Sequence, residues 1–175
     1  MSKILITGER LKLRCAEISD LQYIMELQHK PENVKFIVPF DEKYHTAIIN
    51  SDNYSKMDVI AEEIATGKSV GYFMLCNLYG SSVEIRHGII DKKGVGYGRE
   101  AFKLLMKWSF EIKKFHRVWL DCKTYNERAL HLYETLGFKH EGISRECIFF
   151  NGVYEDLINL SILDREYFAL ISKQV

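Results

Sequence analysis

Three glycines at alternate positions, in the stretch Lys93-Gly94-Val95-Gly96-Tyr97-Gly98, stand between a β-rich run and a strongly amphipathic helix. Glycine admits positive φ and lets a second group come close to the main chain. A helix N-terminus adds unpaired N–H groups and a partial positive charge. A strand must therefore run into a tight loop and then into a helix, with an anion cradle at the turn. Two known phosphate loops do not fit. A P-loop needs Gly-Lys-Ser/Thr, but Gly98 is followed by Arg99-Glu100. A dinucleotide fold needs G-x-G-x-x-G, but the spacing here is G-x-G-x-G, and the upstream strand follows a hairpin rather than opening a βαβ unit. What remains is a nest of successive N–H groups suited to a diphosphate, with Lys92 and Lys93 beside it to add charge. A flexible turn is the competing reading of such a loop.

The rest of the chain supplies a layered frame. Arg10–Cys15 alternates and predicts a first strand; Ser19 with Gln22 has the capping-box spacing of a helix that Pro31 ends. A short helix is expected after Asp41. Met57–Ile64 and Ser69–Cys76 read as strands around a Thr66-Gly67 turn, and a second turn at Tyr79-Gly80-Ser81 leads to the strand Val83–Ile90. Beyond the glycine loop, Ala101, Leu104, Leu105, Trp108 and Ile112 share one helical face. Val118–Asp121 reads as a short buried strand, Asn126–Leu136 as a helix closed by Gly137, and Ile148–Phe150 with Val153–Ile162 as a hairpin about Asn151-Gly152. These elements predict an α+β fold: one domain over residues 1–175, with a mixed, mostly antiparallel sheet and helices on both faces.

The 24 Lys and Arg residues balance 24 Asp and Glu, which argues against a non-specific nucleic-acid or membrane binder. Four cysteines, widely spaced and without a CxxC pair, read as reduced thiols. No metal is expected, since the histidines lack ligand spacing with Cys or acids. With no apolar run long enough to span a bilayer and no signal-like start, a cytoplasmic location is expected.

The glycine loop resembles the Q/R-x-x-G-x-G/A signature of the GNAT N-acetyltransferase superfamily, with Lys93 where Gln or Arg is usual. The segment NERALHLYETLGF, Asn126 to Phe138, resembles that superfamily's next motif. The tail EGISRECIFFNGVYEDLINLSILDREY is similar to the branch of ribosomal-protein N-acetyltransferases and spermidine acetyltransferases. The connection Asp91-Lys92-Lys93 is roughly two residues shorter than the common form. The resemblance implies a splayed parallel strand pair and acetyl-CoA as co-substrate. Its diphosphate would lie on the loop from Lys93 through Gly94, Val95, Gly96, Tyr97 and Gly98 to Arg99. Its pantetheine arm would lie along the strand edge at Ile89 and Ile90 and against Asn126, which by itself reads equally as an N-cap.

Transfer from a thioester to an amine sets two proton problems. The amine arrives as an ammonium and must lose a proton, and the departing thiolate must gain one. The resemblance assigns the acid to Tyr133, a phenol protonated at neutral pH, where burial statistics alone favour core packing. For the base, Glu84 comes first, on the strand that would line the acetyl site; Arg86 has the same parity and is expected to pair with it, and His87 points to the other face as the second candidate. A water relay is the remaining route. For the acceptor, Glu32, Asp41 and Glu42 with Phe36, Phe40 and Tyr44 are weighed as an acidic, aromatic-walled site against the plainer reading of solvated charges around a small core. The family implies two acceptors, a protein N-terminus or a small amine such as a polyamine, with a homodimer as the other partnership. A non-catalytic acyl-CoA-binding module is the rival from another class.

Overall fold

The computed structural model describes residues 3–51, 55–78 and 80–173. Among these, one sheet contains eight strands: β1 (Ile4–Thr7), β2 (Leu11–Cys15), β3 (Lys56–Glu63), β4 (Ser69–Cys76), β5 (Ser82–Ile90), β6 (Arg117–Lys123), β7 (Lys139–Phe150) and β8 (Val153–Leu163). Their order is β1-β2-β3-β4-β5-β6-β8-β7, and only β5 and β6 run parallel. The helices are α1 (Leu21–His29), α2 (Pro31–Val34), α3 (Glu42–Ile49), α4 (Tyr97–Lys107), α5 (Glu127–Thr135) and α6 (Asp164–Ser172). The α+β expectation, a mostly antiparallel sheet with one parallel pair and helices on both faces, holds.

Each sheet face carries its own core. Phe73, Leu75, Val83, Ile85, Val118 and Leu120 pack under α4 and α5. Ile60, Tyr72, Met74, Cys76 and Ile89 pack under α1 and α3. The second core encloses a polar chain: Gln28 Nε2 lies 2.8 Å from His45 Nε2, His45 Nδ1 lies 2.7 Å from Asp58, and the Tyr72 hydroxyl donates to Asp58 at 2.9 Å. All four residues are buried, so each polar group needs these partners. The chain pins α1 and α3 to the sheet.

Several local expectations are corrected. Ser19 does not cap α1; a 3-10 turn at Ile18–Asp20 precedes it, and the Asp20 carboxylate takes the Glu17 N–H at 2.8 Å while pairing with Arg14. Ile112 is exposed because α4 runs into a π-turn over Trp108–Ile112, and the extra residue per turn buries Phe110 instead. Strand β7 begins at Lys139 rather than near Ile148, two register shifts having masked its alternation. Neither β1 nor α6 was legible. The expected turn at 79–81 includes Tyr79, outside the described residues. At Asn151-Gly152, φ is 52° and 83°, the two positive values a tight hairpin requires.

One irregularity creates the site. Leu75 pairs with Ile85 and Met74 with His87, so Arg86 is an extra residue, a bulge in β5. Parallel pairing of β5 with β6 stops at Glu84 opposite Trp119, immediately before it. A bulge bends and twists its strand, and here β5 peels away from β6.

Candidate active site

The gap between the splayed strands belongs to a cavity of about 990 Å³ running from the glycine loop to the β7–β8 hairpin. Its floor is the Ile85–Ile90 part of β5, which lacks β6 as a neighbour and so leaves one backbone edge unpaired. Across the gap stand Asp121, Cys122 and Lys123 of β6 and the N-terminal turns of α5.

At one end lies the loop. Gly94 and Gly96 both have φ of 86°, a left-handed conformation that favours glycine. The bond from the Glu100 N–H to the Gly96 carbonyl, 3.2 Å, closes the first turn of α4 and leaves the preceding N–H groups without helical acceptors. Lys93, Gly94, Gly96, Gly98 and Arg99 line the cavity with Lys92 and Arg128, giving a basic, N–H-rich end fitted to a diphosphate. Ile89, Ile90 and Asn126 line it next. Asn126 is also a cap, accepting the Ala129 N–H at 3.4 Å. Val95 and Tyr97 do not line the cavity: the Tyr97 side chain turns away to hydrogen-bond Glu63, and the Val95 carbonyl is held by Arg10.

Farther along, α5 delivers Tyr133 to the cavity, between Phe102 and Phe138 at ring distances of 5.2 and 5.9 Å. Burial above all, with Cys122 and Asp121 nearby, holds its phenol well above the ordinary value, so it stays protonated. The C-terminal turn fixes the helix end, with Gly137 at φ 94° and the Phe138 N–H bonded to the Tyr133 carbonyl at 3.0 Å.

Glu84 is not brought to the cavity. It is 2% exposed, with Arg86 Nε 2.6 Å from one oxygen and Asn77 Nδ2 3.1 Å from the other. Burial raises its pKa against the opposing pull of Arg86. The carboxylate that does line the gap is Asp121, whose pKa burial also raises, with Arg86 the charge that opposes the shift. His87 lines the cavity too, but the bulge changes its face. It pairs with Met74 while Glu84 pairs with Cys76, and both partners lie in the α1–α3 core, so His87 and Glu84 share a face. Its Nδ1 is buried with no hydrogen-bond partner among the described residues.

A roof covers this end of the cavity. Phe36, Ile37, Val38 and Phe40 come from the segment after α2; Ile148, Phe149 and Leu157 come from the hairpin. Tyr125 ties the two together, its hydroxyl 3.0 Å from the Lys35 carbonyl and 2.8 Å from Glu155. Buried Lys123 forms an ion pair with the other Glu155 oxygen at 2.6 Å. The acidic acceptor site is not assembled as weighed: Glu32 lines the cavity, but Asp41 caps α3 through the Tyr44 N–H at 2.8 Å and Glu42 is exposed. Asp121, Arg128 and the bulge escaped the sequence reading. Only Asp121 carried a signal, through its alternation with Trp119 and Lys123 on one face of β6.

A family model described as the acetyltransferase (GNAT) domain matches residues 10–139. The spermidine N(1)-acetyltransferase of Escherichia coli strain K12 is 28% identical over 93% of this chain and 91% of its own. That of Vibrio cholerae is 30% identical over 91% and 96%. A crystal structure of spermidine N-acetyltransferase from Vibrio cholerae in complex with CoA and spermine superposes with a TM-score of 0.81 at 26% identity, covering 92% of this chain and 99% of that one.

Proposed function

The chain belongs to the GNAT acetyltransferase family and is an acetyl-CoA-dependent N-acetyltransferase; on that premise we propose that Asp121 and Tyr133 move the two protons of acetyl transfer to a small primary amine. The observation that carries this is their placement, a carboxylate and a protonated phenol lining one gap that leads from a basic, N–H-rich loop. Lys93, Gly94, Gly96, Gly98, Arg99 and Arg128 would hold the cofactor's phosphates, and Ile89, Ile90 and Asn126 its pantetheine arm. Bound acetyl-CoA supplies the acetyl group as an activated thioester.

Asp121 first pairs with the incoming ammonium and then takes its proton, directly or through one water. A carboxylate raised by burial is a stronger base than one in water, and its neutral form is tolerated in the gap. Tyr133 Oη holds the proton that the departing thiolate sulfur requires. Arg86, which pairs with Glu84 and lines the same cavity, is the cation that steadies the Asp121 charge. Attack is direct in a ternary complex: of the four free cysteines, only Cys122 lines the cavity, and burial pushes its thiol up to about 12, leaving it protonated and poorly nucleophilic. The free thiols also support a reducing, cytoplasmic setting.

Two observations bear on the acceptor. The Tyr125 tie closes the roof from the segment after α2 to the hairpin, which favours a small amine over a protein N-terminus. The relatives named for spermidine favour a polyamine specifically. Free CoA thiol released from acetyl-CoA is the test, with a monoamine, a diamine, spermidine and peptides bearing free N-termini as acceptors. Turnover on the small amines is expected. Turnover on peptides alone would overturn the small-amine assignment, and tight cofactor binding without turnover of any amine would favour a non-catalytic module.

A further inference from the structure

Arg10 lies outside the cavity yet touches the centre of the cofactor loop. Its Nη1 donates to the Val95 carbonyl at 3.0 Å, and its guanidinium lies 5.0 Å from the centre of the Tyr97 ring. Its Nε pairs with Glu100 at 2.7 Å, while the other Glu100 oxygen accepts the N–H groups of Arg10 at 2.7 Å and Leu11 at 3.0 Å. A Cβ on Gly96 would come within 3.2 Å of Arg10 Nη2. One arginine thus joins the start of β2, the first turn of α4 and the loop between β5 and α4.

These contacts decide the direction of one N–H. In a trans peptide the C=O and N–H point to opposite sides, and no described peptide here is cis. A Val95 carbonyl turned toward Arg10 therefore turns the Gly96 N–H away from it, and Gly96 lines the cavity where Arg10 does not. Glycine at 96 offers little resistance to a flip of this peptide. The flipped form would present a carbonyl oxygen where the diphosphate needs a donor. Charge adds a second effect. Glu100 lies in the first turn of α4, where an uncompensated carboxylate would repel a bound anion, and Arg10 neutralises it.

We propose that Arg10, clamped by Glu100, is a positioning residue that holds the Val95–Gly96 peptide with its N–H toward the diphosphate of acetyl-CoA. It does not line the cavity, so it sets cofactor affinity and leaves the chemical step alone. The proposal rests on the cofactor assignment and not on the roles of Asp121 and Tyr133.

Arg10→Met, Arg10→Lys and Glu100→Gln separate the effects. Calorimetric titration with CoA should show Arg10→Met weakening binding about ten- to a hundredfold, the range for one or two charge-assisted hydrogen bonds. Arg10→Lys, which keeps the charge and a donor, should recover part of this. In turnover, the KM for acetyl-CoA should rise while kcat changes less than about twofold, the split that loss of uniform binding gives. Acetyl-pantetheine, which lacks the diphosphate, should be used equally by wild type and variant. Unchanged CoA affinity in Arg10→Met, or an equal loss with acetyl-pantetheine, would overturn the clamp. If Arg10→Met does not fold, Arg10→Gln is held to the same two outcomes; Glu100→Gln, which loosens the clamp but also removes the repelling carboxylate, should change CoA affinity less than either. A wild type that binds CoA but acetylates no amine would sink the proposed chemistry, while the titration would still decide the clamp.

Discussion

His87 is buried against Phe40 and Tyr72, at ring distances of 5.3 and 6.4 Å. Burial first, then nearby His45 and Arg86, lower its pKa to about 3, so the imidazole is neutral. Holding a proton there would place a buried cation near the charge of Arg86, which argues against His87 as the base and for the proposed Asp121. The same shift has a consequence for stability. Above the unfolded value of about 6.5 the imidazole is neutral in both states and contributes no pH dependence. As pH falls from there toward 3, the unfolded chain binds a proton that the native state refuses, and stability drops by about 1.4 kcal/mol per pH unit. Thermal melts between pH 6.5 and 4 should therefore fall more steeply for wild type than for His87→Gln. Parallel slopes would show that His87 is not held neutral. Acid-sensitive carboxylates such as Asp20, held low by Arg14 against its burial, and Glu62, held low by Lys12 and Arg14 against its burial, contribute to both proteins alike.

At the scale of elements, the glycine loop and the bulge do different work. Gly96 has φ of 86° and Arg10 packed behind it, so Gly96→Val should weaken CoA binding at least about tenfold, since a β-branched residue there costs on the order of 1–3 kcal/mol. Titration with CoA checks this, and unchanged affinity would contradict the cradle. The loop was legible because its glycines and the helix after it are local signals, as were Asn151-Gly152 and the short helix after Asp41. The bulge was not. Its cause lies in how β5 pairs with β4 and β6, and a single sequence shows only that Arg86 follows Ile85. Missing it put His87 on the wrong face, because strict alternation fails after one extra residue. The π-turn after α4 misled in the same way, shifting the buried face from Ile112 to Phe110.

The whole molecule is a sheet opened at one seam, with a basic end built from backbone and cations and an opposite end built from β6, α5 and a two-part roof. That layout follows from one parallel pair in an otherwise antiparallel sheet, with the bulge just beyond its last pairing. Direct attack across the seam requires both substrates together. Initial rates with acetyl-CoA and amine both varied should give intersecting lines, whereas parallel lines, with thiol released before any amine is added, would indicate an acyl-enzyme instead. The most direct measurement is kcat/KM for the amine against pH, in wild type, Asp121→Asn and Tyr133→Phe, with CoA affinity measured beside it. Wild type should lose activity as pH falls through the raised Asp121 pKa. Asp121→Asn should be at least about a hundredfold slower without that acid limb, and Tyr133→Phe at least about tenfold slower with CoA affinity intact. Wild-type rates and profiles in both variants would place the chemistry elsewhere.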